Sequence, residues 1–95
     1  MGRRTDPRAA MIDAFRNSHQ WQRVRAVKRA SHPLCEDCEA AGVTRVADDV
    51  DHVLSLWDRF DLRSTLSNLR SLCRPHHNAK TQAETRARHG KGATA

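Results

Sequence analysis

Two short ligand pairs limit what this chain can become. Cys35 and Cys38 stand in "LCEDCEA", and Cys73 and His76 stand in "LCRPHHNAK". Each pair has a two-residue spacer, the separation at which a tight turn aims two donors at one ion. A lone Cys-x-x-Cys also suits a redox couple. The second pair favours metal: Cys35, Cys38, Cys73 and His76 form a Cys3His set suited to tetrahedral zinc. The duller alternative is an incidental or redox pair with a chance histidine. Residues 39–72 separate the pairs, too many for a simple finger, so a small subdomain must fold inside that loop.

A staple of this kind has work to do. The chain has 95 residues, 38% of them apolar and 4% aromatic, which suits one domain over 1–95 with a modest core. Three cysteines are an odd number and close no disulfide framework. A reducing cytoplasm is the default setting. No apolar run is long enough to span a bilayer, and "MGRRTDPRAA" lacks the apolar centre of a signal peptide. No membrane partner is expected.

Charge is unevenly placed within a net +6. Residues 1–30 hold eight Lys/Arg against two Asp/Glu, residues 31–69 hold three against eight, and residues 70–95 hold six against one. Basic ends fit a polyanion such as nucleic acid. On charge alone a solvated basic surface explains them equally well. An acidic middle repels phosphate unless a cation sits between them.

The pattern along the chain predicts helices at both ends. Residues 1–5 read as a loose basic arm. Asp6 is a candidate N-cap with Pro7 at the first helical position, and Met11, Ile12 and Phe15 share a face. Ser18 caps a second helix in which Trp21, Val24 and Val27 recur in steps of three, with Arg23, Arg25, Lys28 and Arg29 on the other faces. Pro33 ends this helical part, residues 6–30. In "VADDVDHVLSL", Val46, Val50 and Val53 give a strand-like run around Asp48, Asp49, Asp51 and His52. On a strand Asp51 and His52 face opposite ways, so one centre served by both needs a bend or bulge. "LWDRFDLRSTLSNL" reads as a loop with a short helical turn, and "NLRSLC" as a second short strand. "RPHHNAKTQAETRAR" reads as a helix opening at Pro75 and running through Arg88, with a disordered basic tail over 89–95.

Cys-x-x-Cys, then "VDHV", then "SNLRSLC", then "HHNAKT", in this order, resembles the HNH endonucleases, above all the small zinc-containing type of phages and prophages. The resemblance spans about residues 15–85, including "FRNSHQW". It implies a small α+β fold, a ββα-metal unit within a zinc-stapled core over 33–88, preceded by helices. The motif letters fall on His52, Asn68 and His77. The family usually shows Cys-x-x-Cys-His at the last motif. Here His76 takes the structural zinc place and His77 the catalytic one, so two neighbouring histidines serve two metals. "DHVLSL" also lacks the proline that often follows the Asp-His run in the family.

The resemblance implies a metal-dependent DNA endonuclease that nicks or cuts duplex DNA. It implies a phage setting such as genome packaging, with terminase or other packaging proteins as partners and the host cytoplasm as location. His52 is the candidate general base, because a neutral imidazole takes a proton near pH 7. Asp51 and His77 are candidate ligands of one divalent cation (Mg²⁺, Mn²⁺, Ni²⁺ or Zn²⁺) that stabilises charge at phosphorus and on the departing 3′ oxygen. Asn68 is expected to orient His52. Products are expected to carry 5′-phosphate and 3′-hydroxyl ends.

Each of these residues has a plainer reading by itself. Asp51-His52 suits a surface turn, Asn68 a cap, His77 an exposed helix position; only their joint order carries the function. Asp48 and Asp49 are expected to be solvated or bonded in the turn before the strand. His19, His32 and His89 are expected on the surface, and Trp21 and Trp57 in the core or a lid. Arg23, Arg25, Arg74 and Lys80 are candidate phosphate contacts. The alternative function is a zinc-stapled DNA-binding module without cleavage. A weaker one is a protein-docking subunit of a packaging machine.

Overall fold

The computed structural model of the protein describes residues 6–93, with side chains described through residue 87. The basic arm expected over 1–5, the side chain of His89 and the last two residues of the tail lie outside the described part.

Helix α1 spans Pro7–Arg16 and is capped by Asp6, whose side chain accepts the Arg8 N–H at 2.8 Å. Ile12 and Phe15 are buried, whereas Met11 stays 47% exposed. Met11 is about 100° around the helix from Ile12, which turns it away from the core. Ser18 joins α1 to α2, His19–Ser31: its hydroxyl donates to the Phe15 carbonyl at 2.6 Å and accepts the Trp21 N–H at 3.1 Å.

The apolar stripe expected along α2 is corrected by the structure. Trp21 and Val24 are half-buried, but Val27 is 52% exposed and Lys28 is buried. A step of three residues falls about 60° short of a turn, so the stripe drifts and the position seven after Trp21 comes in instead. Lys28 pairs there with Glu36 at 3.0 Å.

The Cys-x-x-Cys segment forms a short helix, α3, Glu36–Ala40, where the sequence predicts only a turn. Cys35 caps it, its Sγ accepting the Cys38 N–H at 3.3 Å. Gly42, at φ 80, lets the chain turn back so that the Val43 N–H reaches the Cys38 carbonyl at 2.8 Å. Two side chains of α3 reach the strand that follows later in the chain. Glu36 accepts the Ser71 N–H at 2.8 Å, and Asp37 pairs with Arg70 at 3.2 Å.

Strands β1, Asp49–His52, and β2, Leu69–Leu72, pair antiparallel, with Asp49 opposite Leu72 and His52 opposite Leu69. The strand is shorter than the valine run suggests. Val46 makes only an isolated bridge to Leu34, and Val46 and Val53 are exposed. The connection between the strands holds two 3-10 turns, Phe60–Leu62 and Leu66–Asn68.

Helix α4 spans Arg74–Ala93 and so enters the region expected to be a disordered tail. No proline follows Pro75, and adding residues to a formed helix costs little compared with starting one. Asp48 accepts the Arg74 N–H at 2.7 Å, supplying this helix start with a cap from another part of the chain. Among the described residues, two buried clusters hold the small α+β fold together. One is Ile12, Phe15 and Leu56, with Trp21 and Phe60 against them; the other is Cys35, Cys38, Leu72 and Cys73.

Candidate active site and metal centres

The N-cap and body of α3 supply Cys35 and Cys38; Cys73 joins β2 to α4, and His76 lies in the first turn of α4. Their donor atoms all lie within 4.8 Å of one another. Cys38 Sγ is 3.7 Å from Cys73 Sγ, and His76 Nδ1 is 3.5, 3.4 and 3.2 Å from the sulfurs of Cys35, Cys38 and Cys73. A tetrahedral zinc with bonds of about 2.3 Å to sulfur and about 2.0 Å to nitrogen separates its donors by about 3.5–3.8 Å. The set therefore fits a zinc site.

Protonation is closely linked among the four donors. Burial pushes the Cys38 thiol up, and its two thiol neighbours add to that, to about 11. Burial also works against a Cys73 thiolate, but hydrogen bonds from the His76 backbone and ring overcome it and bring Cys73 down to about 6. Hydrogen bonds to Cys73 and Cys35 push His76 above the ordinary imidazole value. Three such thiols cannot all ionise together without positive charge among them.

Asp51 and His52 turn to different neighbours at the end of β1, yet both line one cleft of about 490 Å³ together with His77. His52 is buried, 6% exposed. Its Nε2 lies 3.0 Å from the Arg63 carbonyl. A carbonyl only accepts, so Nε2 carries the hydrogen and the neutral ring keeps its lone pair at Nδ1. Trp21 stacks on the ring at 4.9 Å between centroids, and Phe15 meets it edge-on at 6.2 Å. Burial lowers the His52 pKa; the Arg63 carbonyl and Asp51 oppose that shift, while Arg16 and Lys80 add to it.

Asp51 faces α4. Its Oδ2 is 3.9 Å from His77 Nε2, and its Oδ1 accepts the His52 N–H at 2.8 Å. Two donors about 2.1 Å from a shared ion sit about 3–4 Å apart, so this pair can hold a divalent cation. Lys80 Nζ approaches the same Oδ2 at 3.2 Å and Glu84 at 2.6 Å.

Asn68 is buried at the end of the second 3-10 turn, just before β2, and works on backbone. Its Oδ1 accepts the Leu54 N–H at 2.8 Å, and its Nδ2 donates to the carbonyls of Leu54 at 3.1 Å and Leu62 at 3.4 Å. It thereby ties the segment leaving His52 to the residue before Arg63, whose carbonyl holds the imidazole.

The candidate phosphate contacts scatter. Arg25 lines the cleft and pairs with Asp49 at 3.5 Å. Lys80 serves Asp51 and Glu84, while Arg23 and Arg74 are exposed and do not line the cleft. His19 and His32 are exposed; Trp57 is 41% exposed under the Arg8 guanidinium rather than in the core. Sequence reasoning did not single out Arg16, Glu84 or the Arg63 carbonyl. Arg16 and Arg63 come close to His52 only through folding of distant segments, which leaves no spacing to read.

Comparison with known proteins follows the same lines. Residues 35–83 match the HNH endonuclease family. The crystal structure of the HNH endonuclease of the deep-sea thermophilic bacteriophage GVE2, with manganese ion, is similar in fold at a TM-score of 0.79. It is 33% identical, over 84% of this chain and 88% of that one. No match is found among curated proteins. Among the described residues no helix is long and apolar enough to cross a membrane. With about half its length matching the family and a 33%-identical nuclease similar in fold over 84% of the chain, the chain belongs to the HNH endonuclease family.

Proposed function

We propose that this endonuclease hydrolyses phosphodiester bonds of duplex DNA, with His52 as general base, Asp51 and His77 as ligands of a divalent ion, and Asn68 as a positioning residue. The observation that carries the reading is the buried His52 ring, which donates from Nε2 to the Arg63 carbonyl and keeps Nδ1 as its proton acceptor. A water placed at Nδ1 loses its proton to the ring as it attacks phosphorus, and His52 passes through the imidazolium state. The Arg63 carbonyl and the Asp51 carboxylate both favour that state, so the ring is held by groups that gain as it charges. Asn68 keeps the two backbone segments around His52 in register. Asp51 and His77 would hold a divalent ion, which would supply positive charge for the phosphate and the leaving 3′ oxygen.

Zinc at Cys35, Cys38, Cys73 and His76 is structural in this reading, because three buried thiolates and an imidazole fill a tetrahedral set and leave no open position. Manganese is a natural candidate for the cleft, since the GVE2 structure contains it. The same neighbour is a phage protein, which supports a phage or prophage setting; packaging proteins as partners in a host cytoplasm are part of the proposal by way of that setting alone.

Supercoiled-plasmid conversion in Mg²⁺, Mn²⁺, Ni²⁺ or Zn²⁺ tests the reading. Wild type is expected to nick or linearise. His52→Ala is expected to lose about 10²–10⁴-fold in rate while keeping zinc and DNA binding. A wild type that binds DNA but stays inert with every ion hands the case to a binding module. A His52→Ala protein at full rate leaves a nuclease with a different base.

A further inference from the structure

We propose that Arg16, outside the family-matched segment, is the residue of this enzyme that grips a phosphate of the strand being cut; the proposal rests on the nuclease reading above. The cleft is not rich in available positive charge. Asp49, Asp51 and Glu84 all line it, which by itself turns a phosphate away. Arg25 also lines it but is engaged by Asp49 at 3.5 Å, and the neighbouring Lys80 is engaged by Asp51 and Glu84. Arg16 lines the same cleft, and among the described residues its side chain makes neither an ion pair nor a hydrogen bond.

Its backbone, by contrast, is firmly held. Phe15, the preceding residue, is buried and packs edge-on against His52. The Asn17 side chain donates to the Asp13 carbonyl at 2.8 Å, and the Ser18 hydroxyl to the Phe15 carbonyl at 2.6 Å. A rigid base beside the candidate general base thus carries an uncommitted guanidinium. Its planar fork matches two phosphate oxygens at once, which an ammonium cannot reproduce.

The rival explanation is local. A cation in the last turn of a helix complements the helix dipole, and Arg16 is the basic residue there in α1. That explanation requires only charge, so lysine replaces arginine fully and glutamine affects stability rather than turnover. The two accounts therefore part on Arg16→Lys and Arg16→Gln.

The experiment is cleavage of a labelled duplex at saturating and limiting DNA in Mn²⁺, with thermal unfolding and Mn²⁺ binding by electron paramagnetic resonance measured alongside. Arg16→Gln is expected to cut about 10²-fold more slowly at saturating DNA with unchanged Mn²⁺ affinity and melting. Arg16→Lys is expected to recover only part of the rate. Arg59→Gln serves as a control for loss of one charge, since Arg59 is bound to Asp61 at 2.8 Å and does not line the cleft. Arg16→Gln cutting as fast as Arg59→Gln, or Arg16→Lys cutting as fast as wild type, overturns the proposal. An inert wild type is a separate result: it overturns the nuclease reading beneath, and this one with it.

Discussion

His76 and His77 are joined by one peptide bond and face different surroundings. His76 points Nδ1 into three sulfurs; His77 points Nε2 toward Asp51. On the proposed assignments His76→Ala removes a ligand from a buried cluster and lowers the melting temperature and zinc content together. His77→Ala leaves a folded protein that needs more divalent ion to cut. Circular dichroism melts of the two variants check this, and identical melts would mean the pair is wrongly divided. His52 gives a pH prediction. Its pKa is lowered by burial, so the neutral base persists to lower pH than in an ordinary histidine. The acid limb of kcat/KM is expected to fall below the usual histidine value of about 6.5. The same shift means that the unfolded chain binds more protons in the window just below that value, so stability declines as pH falls through it. A limb at or above that value in a kcat/KM profile would count against His52 as a buried base.

At the scale of elements, the helix that carries both histidines starts with help from a distance. Asp48, which precedes β1, accepts the Arg74 N–H at 2.7 Å and places a carboxylate at the positive end of α4. Asp48→Ala is expected to cost about 1 kcal/mol, the usual value of a lost cap, read as a drop in urea midpoint. A loss no larger than that of an exposed control such as Asp58→Ala would show that the contact contributes nothing. Sequence reasoning expected Asp48 to be solvated or bonded in the turn; the cap on a helix 26 positions away has no local signature. The caps at Asp6 and Ser18 were legible because donor and acceptor lie within three residues. Drift of the α2 stripe was also readable in principle, since a helix has 3.6 residues per turn, but steps of three concealed Lys28. The Cys3His set and the order of Asp51, His52, Asn68 and His77 stood in plain view because spacing encodes them. Trp21 over His52 and Arg16 in the cleft were not, since α1 and α2 reach the site by packing.

The whole molecule rests on little apolar material. One of the two buried clusters among the described residues is Cys35, Cys38, Leu72 and Cys73, so three of its four members are donor residues. Zinc binding in small domains is worth about 10–16 kcal/mol, as much as the entire stability of a typical domain. A strong chelator is therefore expected to abolish the cooperative melt, and added zinc to restore it. Elemental analysis should give about one zinc per chain purified without added metal. A chelated protein with an unchanged melt would show that the four donors are held by packing alone.

The single peptide bond between His76 and His77 gives the enzyme a common point of failure. Consecutive Cα atoms are about 3.8 Å apart and cannot move independently within one helical turn. On the proposed assignments, a copy that loses the ion at Cys73 loses the alignment at Asp51 in the same event. Oxidation of the thiols or theft of the zinc would then disarm the nuclease. Damaged copies would lose fold and cutting together instead of turning into indiscriminate cutters.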